Sequence, residues 1–215
     1  MRQLLYKDFR LTAHPIMYAF GGLTAMLLIP SYPYYVVFFY ACLGIFFTFI
    51  NGREARDVDY TALLPVRKRD VVSARCIMMV LVQIAYVALS VPFALLNRHF
   101  NPTGNQAGIE ANAAFFGLSF LMMGIFNQIF LAEFYRDAYR AGRAFVLACA
   151  AISAFMLLCE TSVHAIPWVK SHLDNFDMAH LPLRLGILGA GIALYSGLTL
   201  WGKNIASRRF ERAEL

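Results

Sequence analysis

The chain has 215 residues, 60% of them hydrophobic and only 15% charged, with a mean hydropathy of +0.57. That balance excludes an ordinary soluble domain and points to a membrane protein. The formal net charge of +6 needs no nucleic-acid partner, because the placement of basic residues at one membrane face accounts for it.

At the start, Leu4, Leu5 and Phe9 fall at helical spacing among Arg2, Lys7 and Arg10. This predicts an amphipathic interfacial helix over 1–13, the alternative being a plain positive anchor that fixes topology. His14-Pro15 then interrupts the pattern, and no cleavable signal peptide is expected, since the polar lead is long and no small-residue cleavage site follows. From Leu11 to Gly52 the sequence carries no Asp, Glu, Lys or Arg for 42 residues. A bilayer crossing takes roughly 20 apolar residues, so this interval predicts two spans, 15–30 and 34–51, separated by the prolines of IPSYPYY. Four more apolar intervals predict spans near 76–96, 112–132, 144–162 and 184–202. The expected fold class is all-α, a single polytopic domain of six transmembrane helices. Glu160 then lies at the outer end of the fifth.

With the N-terminus inside, 16 of the 19 Lys and Arg residues fall on the cytoplasmic side, leaving Arg98, Lys170 and Arg184 outside. The positive-inside rule thus predicts two cytoplasmic termini in a plasma membrane. Outside, the segment 163–183 carries Trp168 and suits an interfacial helix. His164, His172 and His180 recur every eight residues, a spacing without ligand logic, so no metal site is expected there. Cys42, Cys76, Cys149 and Cys159 sit in or at the ends of apolar spans and read as packing residues.

The inner loop 52–75 is the most informative stretch. Its first part, from about Arg53 to Leu64, suits a short helix stopped by Pro65, and Asp70 stands where an N-cap would open the next helix. Leu63, Leu64, Pro65 and Val66 form an apolar island that needs a cover, either this chain's own segments or a partner protein. Across this loop, Glu54, Leu64, Pro65, Val66, Arg67, Asp70, Val72 and Arg75 match a pattern that resembles the permeases of bacterial type-2 ATP-binding-cassette exporters, especially the small group that includes phenol-soluble-modulin exporters. The N-terminal LLYKDFR and the His-Pro before the first span are also similar to that group, so the resemblance covers essentially the whole chain.

The resemblance implies that the loop between helices 2 and 3 is a coupling helix docking on a cytoplasmic ATPase subunit. Leu63 and Leu64 would form the anchor, Glu54, Arg56, Asp57, Asp59 and Arg67 would set orientation as rim charges, and Tyr60 and Pro65 would belong to the same coupling contact. The chain has no phosphate-binding G-x-x-x-x-G-K-[ST] loop, so it is expected to be no enzyme and to hold no cofactor; ATP and Mg would belong to the partner. A second permease copy, identical or a sister, would complete the path. Glu160, Phe39 and Phe46 are candidates for lining it, with amphipathic peptide or another hydrophobic molecule as cargo, although packing rings and an interfacial carboxylate are the plainer alternatives.

Two enzyme readings fail on residues. NGREAR has Asn51 where the phosphatidyl-alcohol transferase signature needs aspartate, and the chain lacks the Gly-x-Ser-Gly element of a rhomboid-type protease. A membrane binding or immunity protein that sequesters a peptide without pumping is the functional alternative.

Overall fold

The computed structural model describes residues 2–30, 32–57, 61, 66–100, 105, 107–137, 140–174 and 178–212. Among these the chain is predominantly helical, with no strand. The helices are α1 (Arg2–Lys7), α2 (Pro15–Gly21), α3 (Tyr35–Glu54), α4 (Lys68–Phe100), α5 (Ala113–Phe134), α6 (Ala141–Ala165), α7 (Pro167–Leu173) and α8 (Leu181–Arg212). Five of them, α3, α4, α5, α6 and α8, are long and apolar enough to cross a membrane. A sixth crossing is available if the bent N-terminal pair counts as one span. The expectation of an all-α polytopic membrane protein therefore holds.

The N-terminus is L-shaped. α1 runs into a widened π turn, Asp8–Thr12, in which the Ala13 N–H reaches the Asp8 carbonyl five residues back at 2.9 Å. His14 is extended, as a residue before proline must be, and its Nδ1 accepts from the Ile16 N–H at 3.2 Å, capping α2. The arms Arg2–Thr12 and Pro15–Leu28 meet at 87°. Beyond Gly21, α2 tightens into a 3-10 helix, Gly22–Leu28. Seven α residues and seven 3-10 residues span about 24 Å, against about 21 Å for an all-α segment of that length, so the conversion lengthens a segment otherwise short for a crossing.

The long helices outrun the spans expected from hydropathy. α4 begins at Lys68, which places Asp70 inside its first turn rather than at its cap, and it continues to Phe100 through Pro92. α8 extends ten residues past the expected end at 202. Its final turns fold back onto neighbouring termini: Glu211 pairs with Arg69 at 2.5 Å, Lys68 sits over the Phe210 ring, and Arg209 bonds the Ala132 carbonyl and Glu133. The ends of α3, α5 and α8 and the start of α4 thus share one end of the bundle with α1.

Two devices fix the interior. First, α5 and α8 approach so closely that only glycine fits at the crossing: a Cβ on Gly191 would lie 2.0 Å from the Gly117 carbonyl oxygen, and one on Gly124 would lie 2.8 Å from Tyr195 Cα. Small residues at such crossings let membrane helices gain backbone-to-backbone packing. Second, a polar clasp ties α4, α5 and α8 together. Gln83 Nε2 donates to Asn127 Oδ1 (2.8 Å), Asn127 Nδ2 donates to Gln83 Oε1 (2.9 Å) and to Thr199 Oγ1 (3.1 Å), and the Tyr195 hydroxyl donates to Gln83 Oε1 (2.8 Å). Gln83 and Asn127 are completely buried, so every polar atom named is satisfied inside the chain.

Candidate functional site

The loop that follows α3 is positioned by charge. α3 closes with Ala55, whose N–H bonds the Asn51 carbonyl at 3.0 Å, and with Arg56 in the left-handed region at φ 50°. A non-glycine residue there costs about 1–2 kcal/mol, yet it turns the chain so that Asp57 points back into the protein.

Asp57 is the centre of an ionic knot. Its Oδ1 lies 2.5 Å from Lys7 Nζ and its Oδ2 accepts from Arg75 Nη2 at 2.6 Å. Asp8 completes the ring, 3.4 Å from Lys7 Nζ and 3.5 Å from Arg75 Nε. Lys7 also donates to Thr61 Oγ1 at 3.1 Å, and the Arg75 guanidinium lies 5.2 Å from the Phe49 ring centre. Asp8 and Arg75 are only 3% exposed. Burial raises the Asp8 carboxyl above its ordinary value, with Arg75 and Lys7 pulling it back.

The knot joins three elements: α1, the loop after α3, and the first turns of α4. Gly52 makes room for it, since a Cβ there would lie 2.9 Å from Arg75 Nη1. Two further bonds secure the N-terminal arm to α3, from Asn51 Nδ2 to the Thr12 carbonyl (3.0 Å) and from the His14 N–H to Thr48 Oγ1 (3.2 Å).

The residues singled out in sequence are distributed as follows. Glu54, Arg56 and Arg67 are exposed on this end of the bundle. Asp57, anticipated as a rim charge, is instead 7% exposed and committed to Lys7 and Arg75. Asp59, Tyr60, Leu63, Leu64 and Pro65 lie outside the described residues. The helix anticipated from Arg53 begins differently: Arg53 and Glu54 end α3, and the chain breaks direction at Arg56.

The path candidates do not converge. Phe46 stacks on Phe145 of α6 at 4.0 Å, joining α3 to α6. Phe39, two turns away on α3, is half-buried beside Tyr40. Glu160 lies fifteen residues beyond Phe145, about 22 Å along α6, where Gly108 packs against it: a Cβ there would be 3.2 Å from Glu160 Cγ.

At the opposite end the connecting segments interlock. Asn112 caps α5 by accepting from the Ala114 N–H (2.9 Å) and donates to the Leu173 carbonyl (2.6 Å), while Asp174 Oδ1 accepts from the Glu110 N–H (2.9 Å). Within the segment where an interfacial helix was anticipated the chain forms the short helix α7, where Trp168 stacks on His172 at 4.6 Å and His172 meets His180 at 4.4 Å. No group of three metal-capable side chains occurs among the described residues.

Sequence reasoning missed the knot and the clasp. The signal for the first was present: Lys7-Asp8 beside the membrane, and Arg75 embedded among Val71, Val72, Ala74, Cys76 and Ile77, where a lone cation needs a partner.

A family model described as ABC-2 family transporter protein matches residues 3–197. No curated protein and no solved structure matches the chain.

Proposed function

The chain belongs to the ABC-2 family of transporter membrane proteins, and from that premise we propose that it is the permease of an exporter whose loop after α3 receives the motion of a separate ATPase subunit. The observation that carries this reading is the knot. A push on the loop acts through Asp57 on Lys7 of α1 and Arg75 of α4 at once, so the membrane helices are moved by buried ion pairs rather than by a slack tether. Exposed Glu54, Arg56 and Arg67 leave their charges available for steering the partner onto this face.

A second permease is the other partner in this reading. α6 is the most thinly covered membrane helix, with only 17% of its most apolar stretch buried within the chain, and Val146, Leu157 and Leu158 stand exposed on it. A second copy set against this face would enclose a path, with amphipathic peptide or another hydrophobic molecule as cargo. The knot-bearing end is cytoplasmic in this reading, because most of the basic residues gather there.

Co-expression with the ATPase encoded beside it, followed by co-purification and ATP turnover, tests the proposal. Wild type is expected to retain the ATPase and Leu63→Asp/Leu64→Asp to lose it. Failure of the wild type to bind, or equal binding by the variant, removes the coupling role.

A further inference from the structure

At the knot-bearing end, the first turns of α4 and the last turns of α8 enclose a polar pocket of about 310 Å³. α4 contributes Arg69 and Ser73, and α8 contributes Lys203, Asn204, Ser207 and Arg208, in pairs four residues apart that share a helix face. Ser207 is only 7% exposed, yet its hydroxyl has no hydrogen-bond partner among the described residues. Ser196, three turns earlier on the same helix, turns its hydroxyl back to the Ile192 carbonyl at 2.8 Å; Ser207 makes no such bond. The side chains of Ser73, Asn204 and Arg208 are likewise without a partner among the described residues.

A basic pocket is open to an anion only where neighbouring carboxylates have not already taken its cations. Among the described residues the only carboxylate paired with a lining side chain is that of Glu211, which accepts from Nε and Nη2 of Arg69 at 2.5 and 3.1 Å. Lys203 and Arg208 pair with none. With Arg69 and Glu211 cancelling, the pocket keeps two uncompensated cations beside two hydroxyls and an amide, a donor set suited to an oxyanion. Its level in the membrane is set by Trp201, an exposed ring of the kind that stands at a membrane interface. Lys203 and Ser207 lie about 3 and 9 Å further along the α8 axis, within the depth of a headgroup layer.

We propose that this pocket is a phosphate-binding site, the charge held by Lys203 and Arg208 and the oxygens by hydrogen bonds from Ser207, Ser73 and Asn204. The phosphate belongs to an anionic lipid headgroup or is free inorganic phosphate, and the position beyond Trp201 favours the lipid. The site uses no residue of the coupling reading or of the path candidates. An oxyanion there would bridge α4 to α8 at their aqueous ends, as the clasp does in the interior.

Native mass spectrometry of the purified full chain, with phosphatidylglycerol and phosphatidylcholine of identical acyl chains as probes, is paired with isothermal titration of inorganic phosphate into the protein in phosphatidylcholine nanodiscs. Phosphatidylglycerol is expected to be retained preferentially. Lys203→Gln is expected to reduce that preference about fivefold, the weight of one interfacial cation, and Ser207→Ala about tenfold, the weight of one hydrogen bond to a charged group. Ser207→Ala removes no charge, so its loss separates a built pocket from the general attraction of a basic membrane face. Arg2→Gln removes an exposed cation at the same end that does not line the pocket and is expected to change nothing. Equal retention of the two lipids, together with inorganic phosphate binding that both pocket variants weaken, assigns the same site to the free ion. A lipid preference that the pocket variants leave intact, or that Arg2→Gln lowers as much as they do, overturns the proposal. So does the absence of both lipid preference and phosphate binding; pocket variants that then lose a co-expressed ATPase make this a protein contact instead. Should Lys203→Gln fail to fold, Arg208→Gln, at an exposed position, takes its place.

Discussion

Arg75 Nη2 lies 2.6 Å from Asp57 Oδ2, although the two residues are 18 positions apart and most of the loop between α3 and α4 runs between them. Removing one partner leaves the other charged and buried, a loss of about 3–5 kcal/mol. Asp57→Asn is therefore expected to lower the thermal unfolding temperature of the purified permease sharply. It should also reduce ATPase stimulation more than co-purification with the ATPase, because the loop stays present but no longer grips α4. Loss of binding in proportion to loss of stimulation would contradict that split.

Asp8 is expected to behave differently. Its contacts to Lys7 and Arg75 are long, 3.4 and 3.5 Å, and burial raises its carboxyl. A carboxyl raised in the folded state binds its proton more tightly there than when unfolded, so its contribution to stability is greatest below the ordinary aspartate value of 3.8 and is lost as pH rises through the folded value. Asp8→Asn should accordingly cost less than Asp57→Asn at neutral pH, and wild type should gain on Asp8→Asn as the pH falls toward 3.8. Denaturation of both proteins across pH 7 to 4 measures the trend; a gap that moves the opposite way refutes it.

At the α5–α8 crossing, Gly191→Ala places a methyl group on the Gly117 carbonyl, where a Cβ would sit 2.0 Å away. The neighbouring atom is backbone, so the helices must separate. A destabilisation of roughly 1–3 kcal/mol or more is expected, whereas Gly189→Ala, with nothing within 4 Å, should be silent. Parallel melting curves of the two variants make the comparison.

The clasp admits a double-mutant cycle. Gln83→Leu and Asn127→Leu each break both amide–amide bonds, leaving Asn127 bonded only to Thr199 or Gln83 only to Tyr195, while the double variant removes both amides. Coupling of about 0.6 kcal/mol, at most about 1.7, is expected from interhelical hydrogen bonds in membranes, and additive losses would show that the pair does not act as a unit.

The membrane helices were legible because the bilayer imposes length and polarity on each span separately, and both can be read along the chain: the apolar run of α5 between Asn112 and Glu133 could be nothing shorter. What joins the spans was not legible. Lys7 meets Asp57 fifty residues away, and Gly117 meets Gly191 on a helix three elements later; each looks ordinary until both positions are placed. Hydropathy also misjudged helix ends, since Lys68, Arg69 and Asp70 are polar yet helical: the helix continues into the aqueous face, where Arg69 finds Glu211. The shift of α2 into 3-10 geometry has no sequence mark beyond Gly21-Gly22.

The knot contains two cations, Lys7 and Arg75, and two anions, Asp8 and Asp57. With all four ionised it carries no net charge, so a displacement of these four side chains as a unit transports none across the membrane potential. Moving Arg75 alone through the full field would involve about 2.3 kcal/mol per 100 mV. If the proposed coupling operates through the knot, the motion of the knot itself is therefore uncoupled from membrane voltage.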